Sequence, residues 1–185
     1  MADWRTLAQR LWFLPLAATI LWWTVRLCTL GRVSFETGIA VGALVNFALL
    51  ILVVFLQDRL SIPDADFIGR LKSNMKPAVI YACLAAVSVA GLHHVVAAEA
   101  TALRKLERER FIEQSLSDEA GFVELQTNDI QLANMDRETV RTKAMASLRF
   151  QFNPLWHMTA SLLALLAAAL STTLFVTFIG QVLRA

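Results

Sequence analysis

The feature that most constrains this chain is a pair of long apolar runs without a single Asp, Glu, Lys or Arg. They cover residues 38–56 (GIAVGALVNFALLILVVFL) and 155–182. A soluble core rarely contains such runs, whereas an α-helix needs about 20 apolar residues to cross a bilayer core. Two further apolar segments cover residues 11–30, with one charged residue, and 78–98. The sequence therefore predicts an all-α polytopic membrane protein with four transmembrane helices, folded as a single membrane domain over the whole chain.

Composition agrees with a membrane protein. Hydrophobic residues make up 57% of the chain and charged residues 17%, against about 45–50% and about 25% in soluble domains. The net charge of +2 and the lack of a basic run argue against nucleic acid as a partner. Cys28 and Cys83 lie in apolar stretches without CxxC spacing, so we interpret them as small buried hydrophobic residues.

The ends of the segments carry helix signals. Asn153 followed by Pro154 is an N-cap and first-turn pair that should begin the fourth helix. Pro77 should begin the third in the same way. The first segment has two interpretations, a cleaved signal peptide or a retained anchor. Its length, its tryptophans and the lack of an A-x-A site favour the anchor.

Residues 99–154 form a charged insert between the third and fourth helices. Residues 98–116 are strong helix formers without Gly or Pro, so the third helix should continue beyond the membrane. Residues 117–134 contain turn signals, and Asp136 should begin another helix. These two helices are expected to pair antiparallel. Residues 61–77 have two interpretations, a short helix on the membrane surface or a loop packed on the bundle ends.

Basic residues in the short segments predict the orientation. With four spans the termini and the second loop share one side, whose short segments would hold seven basic residues: Arg5, Arg10, Arg59, Arg70, Lys72, Lys76 and Arg184. The short loop on the other side holds only Arg32. Positively charged loops stay inside. The prediction is a multi-pass membrane protein with cytoplasmic termini and an extracytoplasmic insert. A bacterial inner (plasma) membrane is expected from the resemblance given below, and the sequence does not distinguish it from an organellar membrane.

Small residues at four-residue spacing predict where helices pack. In a membrane, helices associate through close backbone contact and polar contacts. The second segment offers Gly38 and Gly42, continuing to Asn46, which should hold helices together rather than bind substrate. The fourth offers Ala164 and Ala168 in a ridge of small residues. Packing within one chain and packing between chains both remain open.

The histidines provide the candidate chemistry. Under the predicted topology His93, His94 and His157 lie at one depth near Glu99. One hypothesis is a metal or proton site formed by His94, His157 and Glu99, since imidazole and carboxylate bind zinc. The other is that these are interfacial residues bonded to each other, to water or to the backbone. Arg26 is expected to extend towards the outer headgroups. No catalytic residue and no cofactor are predicted, because no enzyme motif is present.

The order of parts, three hydrophobic helices, a charged helical insert and a last helix introduced by Asn153-Pro154, resembles an uncharacterised family of small four-helix bacterial inner-membrane proteins. The resemblance covers the whole layout and contains no diagnostic motif. The basic tail usual in that family is reduced here to Arg184. Because that family has no assigned activity, the resemblance implies no functional residues.

Three functions follow as expectations. The first is a non-enzymatic accessory or assembly subunit that contacts a protein partner, or another copy of itself, through the insert and the small-residue faces. The second is a small homo-oligomeric channel or transporter. The third is a metal-dependent membrane enzyme that uses the histidines. Each of them has the lipid bilayer as its surroundings.

Overall fold

The structure, a computed structural model, describes residues 13–60, 66–128 and 132–183. These residues form helices and no strand, which confirms the all-α prediction. The elements are α1 (Phe13–Thr29), α2 (Phe35–Leu60), α3 (Phe67–Gly91), a π-helical segment (Leu92–Val96), α4 (Ala98–Ser117), α5 (Glu119–Asn128), α6 (Arg137–Gln151) and α7 (Pro154–Val182).

Three of the described helices are long and apolar enough to cross a membrane. They are α2 with 26 residues, α3 with the π-helical segment, 30 residues in all, and α7 with 29 residues. At 1.5 Å per residue each exceeds the hydrocarbon core of about 30 Å. The apolar helix α1 is shorter, with 17 described residues. Residues 11 and 12 of the predicted first span lie outside the described part of the chain.

The fold divides into two compact units, split at residues 89/90 and 157/158. We call residues 13–60, 66–89 and 158–183 the bundle unit, and residues 90–128 and 132–157 the insert unit.

In the bundle unit the buried face of α3 is rich in alanine, and many large apolar side chains of the unit are exposed. Ala78, Ala82 and Ala86 of α3 are buried, whereas Leu44 and Phe175 are largely exposed. Contact with lipid makes exposed apolar side chains favourable, and small interior residues let the helix backbones approach. Cys28 and Cys83 are exposed free thiols. The prediction that they are buried was therefore wrong, because both lie on outward helix faces.

Helix α3 begins eleven residues before the predicted start at Ala78, since it runs from Phe67. The backbone N–H of Gly69 donates to Asp66 Oδ1 at 2.8 Å, which caps the first turn. Pro77 is buried inside the helix. Both interpretations of 61–77 were thus wrong over the described residues 67–77. A proline inside a helix costs about 3 kcal/mol, and the buried contacts of Arg70 and Asn74, described below, offset it.

The third helix does not continue unbroken into the insert. The π-helical segment Leu92–Val96 widens the turn, with the N–H of Ala97 donating to the carbonyl of Leu92 at 2.7 Å. Ala97 leaves the helical conformation, with φ −109° and ψ 31°, before α4 begins. The Thr101 hydroxyl donates to the His93 carbonyl at 2.7 Å, which gives one carbonyl of the widened turn a partner.

In the insert unit α4 packs antiparallel to α6, as predicted. The end of α4 and the start of α6 share a small apolar core, formed by Leu116, Leu132 and Val140 with Ile112, Phe122, Leu125 and Met135 around it. An Arg141–Glu113 ion pair at 2.8 Å lies beside it. Residues 117–134, where turns and short structure were expected, contain the ten-residue helix α5.

Both predicted helix starts in the later part of the chain are confirmed. Asn153 Oδ1 accepts from the N–H of Leu155 at 2.9 Å at the start of α7. Asp136 caps α6, where its carboxylate accepts from the Thr139 N–H at 3.0 Å and from the Thr139 hydroxyl at 2.8 Å. These hydrogen bonds lower the pKa of Asp136, the backbone one most.

We expect the first turn of α6 to loosen in acid. Because the folded-state pKa of Asp136 is depressed, the cap stabilises α6 fully above the unfolded-state value of about 3.9 and is lost as pH falls through the folded-state value. Hydrogen–deuterium exchange of this turn, corrected for intrinsic rates, should therefore rise as pH falls below about 4.

The start of α7 is the internal control, because its cap, Asn153, does not titrate. Asp136→Asn should remove the pH dependence while keeping protection, and Asp136→Ala should lose protection at every pH. Equal pH responses at the starts of α6 and α7 would contradict the assignment.

Candidate functional site: buried polar groups of the helices

The most buried charges of the bundle unit form an ion pair between α2 and α3. Arg70 Nη2 donates to both carboxylate oxygens of Asp58, at 2.6 Å and 2.8 Å. The two side chains are only 3% and 5% exposed. Removing a charge from water costs several kcal/mol for each ion. Each group supplies the counter-charge of the other, and this attraction offsets the cost.

Helix α7 completes this cluster. The Asn74 side-chain amide donates to Asp58 Oδ1 and to Thr177 Oγ1, at 3.0 Å each. A Cβ at Gly180 would lie 2.5 Å from Arg70 Nη2 and 2.7 Å from Asp58 Oδ2. Only glycine lets α7 approach the ion pair this closely. We call Asp58, Arg70, Asn74, Thr177 and Gly180 the ion-pair cluster.

The ion-pair cluster joins three helices at one end of the bundle unit. It contains the last turns of α2 and α7 and the first turns of α3, so α7 runs parallel to α2 and antiparallel to α3. Arg70 Nε is buried without a hydrogen-bond partner among the described residues. A helix on the membrane surface, one of the two interpretations of residues 61–77, would leave Arg70 near the headgroups, and this is wrong because Arg70 is buried.

Arg26 is buried as well, against the two glycines of α2. The side chain is 5% exposed, and Nη1 donates to the carbonyl of Gly38. A Cβ at Gly38 or Gly42 would lie 3.2 Å from the Arg26 side chain. The indole N–H of Trp22 donates to the carbonyl of Gly42 at 3.1 Å. Arg26 therefore does not extend to the headgroups. Because Gly38 and Gly42 have no side chain, the Arg26 side chain can lie directly on the backbone of α2.

Asn46 lies on the same helix, further into the bundle unit. The Tyr81 hydroxyl donates to Asn46 Oδ1 at 2.8 Å, and both residues are buried. The Trp23 indole N–H donates to the Ser88 hydroxyl at 3.0 Å. The Tyr81–Asn46 hydrogen bond joins α3 to α2, which is the helix-joining role expected for Asn46. The Trp23–Ser88 hydrogen bond joins α1 to α3.

Of the predicted small residues on α7, Ala164 is exposed and Ala168 is half-buried. The face of α7 that is buried within the chain contains Ala169, Thr173 and Thr177. In an alanine-rich helix several faces offer four-residue spacing, so the spacing alone does not select one. Ala164 makes no buried contact within the described chain, so the predicted packing role is not seen for this residue.

Two of the three predicted metal ligands come together in the insert unit. His94 Nε2 and His157 Nδ1 are 2.8 Å apart and share one hydrogen bond, whereas Glu99 is exposed on the first turn of α4. No three His, Cys, Asp or Glu residues in the described ranges are grouped to hold a metal ion. Two nitrogens on one tetrahedral zinc would lie about 3.3 Å apart, so zinc would have to displace the shared proton and separate the rings.

The third histidine lies beside this pair. The ring centroids of His93 and His157 are 5.7 Å apart, and the π-helical segment contains both His93 and His94. π-helical turns are frequent at functional sites. Sequence reasoning placed all three histidines near one depth but gave no sign of the π-helical turn.

Compared with protein-family models, with curated proteins and with solved structures, the chain shows no significant match.

We expect Asp58→Ala to destabilise the bundle strongly. The variant leaves Arg70 buried without its counter-charge and Asn74 without one acceptor, which should cost about 3–5 kcal/mol. Gly180→Ala should act in the same direction, since its methyl group displaces the paired atoms. The measurement is the free energy of unfolding in mixed micelles, titrated with a denaturing detergent.

Two matched controls separate charge burial from general disturbance. Glu107→Ala removes the carboxylate of the exposed Arg104–Glu107 pair and should cost less than about 1 kcal/mol. Ser171→Ala changes an exposed position of α7 and controls for Gly180→Ala. The double variant Asp58→Leu with Arg70→Met should recover most of the unfolding free energy that Asp58→Ala loses. A loss for Asp58→Ala as small as that for Glu107→Ala would refute this account.

Proposed function

We propose that this chain is a four-span protein of a bacterial inner membrane that acts as a non-enzymatic accessory or assembly subunit. In this proposal the termini are cytoplasmic, and the insert unit binds a partner protein on the extracytoplasmic side. Membership of the family of small four-helix proteins named above is part of the same proposal.

The observation that carries the subunit role is the group of exposed apolar side chains on α4. Leu103 is 56% exposed, Leu106 42% and Phe111 53%. They occupy little more than two turns of α4, and the exposed residues between them, Glu107, Arg108 and Arg110, are charged. Exposed apolar clusters rimmed by polar residues are typical of protein interaction sites. We infer that a partner covers the α4 apolar cluster, which we define as Leu103, Leu106 and Phe111.

The fourth span rests on the packing of α1. Trp22 and Arg26 fix it along α2 through the carbonyls of Gly42 and Gly38. Its described part would extend about 26 Å at 1.5 Å per residue, close to the thickness of the bilayer core. Such a helix packed beside α2 suits a span that begins at about residue 11.

The orientation rests on helix direction and charge together. Helix α7 runs parallel to α2, which is the direction expected when the α2–α3 loop and the insert are on opposite sides of a membrane. The basic residues near the α2–α3 loop are Arg59 at the end of α2 and Lys72 and Lys76 in the first part of α3. Positively charged short segments favour the cytoplasm, so the insert is assigned to the opposite side.

The inward pairing of polar groups favours a subunit over a channel. A pore requires polar side chains on a face shared by several copies. In the bundle unit Asp58, Arg70, Asn46 and Tyr81 instead bond to one another in the interior. A small homo-oligomeric channel or transporter remains the second candidate, supported by the exposed Ala164 on α7.

The test is purification of the tagged full chain from its own host in mild detergent, with quantitative mass spectrometry of co-purifying proteins. We expect a stoichiometric partner for the wild type. Its recovery should fall at least about tenfold for the double variant Leu103→Glu with Phe111→Glu, because each charge must be desolvated at the interface.

The matched control is Ala102→Glu, which adds the same charge to an exposed neighbouring position of α4 and should retain the partner. Equal loss in the control and the double variant would remove the α4 apolar cluster as the interface. A homo-oligomer that conducts ions in liposomes, with no partner, would favour the channel.

A further inference from the structure

A groove of about 640 Å³ runs along the outside of the bundle unit between α2 and α7. Its apolar walls are formed by Phe47, Ile51, Phe55, Phe175, Val176 and Ile179. The volume lies within the about 300–1,000 Å³ typical of ligand sites. Both helices are candidate membrane spans, so the surroundings of the groove are acyl chains.

The length of the groove matches one leaflet of a bilayer. From Phe47 to Arg59 the lining residues of α2 extend about 18 Å at 1.5 Å per residue. One leaflet contributes half of a hydrocarbon core of about 30 Å. An acyl chain anchored at one end of the groove would therefore be covered for most of its length.

The charged end of the groove contains one cation that is not neutralised within the described chain. The Asp58 carboxylate at this end is bonded to Arg70. Arg59 is exposed, and its guanidinium lies 5.1 Å from the centroid of the Phe55 ring. No carboxylate of the described residues forms an ion pair with Arg59. The ring holds the guanidinium at the mouth of the groove, where it can donate to a phosphate.

We propose that the α2–α7 groove binds one anionic phospholipid, with an acyl chain along the phenylalanine-lined wall and the phosphate on Arg59. An apolar groove with a single cation at one end matches a phospholipid. A free phosphate would contact the cation and leave the apolar length of the groove uncovered. Because Asp58 is bonded to Arg70, it does not repel the anionic headgroup as a free carboxylate would.

The experiment is native mass spectrometry of the full chain in mild detergent, titrated separately with phosphatidylglycerol and phosphatidylcholine of identical chains. We expect one phosphatidylglycerol to bind about tenfold more tightly than phosphatidylcholine, because both lipids carry the phosphate but only the choline headgroup adds an ammonium group that Arg59 repels. Arg59→Gln should remove this difference. Lys72→Gln, an exposed basic residue near the same bundle end that does not line the groove, should keep it.

Ile179→Trp tests the acyl-chain part, because the indole would fill the groove. This variant should weaken the binding of both lipids. Since filling the groove can disturb folding, the variant is compared with the wild type by thermal unfolding, and Arg59→Gln tests the proposal independently at an exposed position.

Four results would overturn the proposal. One is equal affinity of the wild type for the two lipids. Another is that Lys72→Gln reduces the preference for phosphatidylglycerol as much as Arg59→Gln does. The third is displacement of the lipid by millimolar glycerol phosphate, which would indicate a headgroup site without the groove. The fourth is a lipid-free dimer that Ile179→Trp converts to monomer, because a second copy would then occupy the groove.

Discussion

The bundle depends on one constraint, that a polar group buried among helices long and apolar enough to span a membrane must find its partner inside the protein. This constraint is strongest for Asp58 and Arg70, because an unpaired charge at that place costs several kcal/mol. Its atoms bring together the end of α2, the beginning of α3 and, through Asn74 and Thr177, the end of α7. The buried start of α3, including Pro77, depends on the same contacts.

Glycine has the same function at both buried arginines. Gly180 lets α7 approach the Arg70–Asp58 pair, and Gly38 with Gly42 forms the surface on which Arg26 lies. In each case a missing side chain on one helix makes room for a long charged side chain from another. The carbonyl of Gly38 also accepts from Arg26. Close approach and polar contact, the two forces that join helices in lipid, thus coincide at the same residues.

The insert unit follows different rules because its helices are charged. A small core at the end of α4 and the start of α6 holds them together, while Leu103, Leu106 and Phe111 remain exposed. The π-helical segment gathers His93 and His94 beside His157. The described helices of the insert unit thus meet through this small core and leave other apolar side chains exposed, whereas the bundle unit is joined by buried polar contacts.

The sequence by itself determined the helical class, the three long apolar helices and the caps at Asp136 and Asn153, because these follow from composition and local patterns. It also indicated Gly38, Gly42 and Asn46 as packing residues. Only the tertiary structure decided that α3 continues through Pro77, that Arg26 and Arg70 are buried, and that Glu99 lies apart from His94 and His157. Those outcomes depend on which helix faces meet, and four-residue spacing in alanine-rich helices fits several faces equally well.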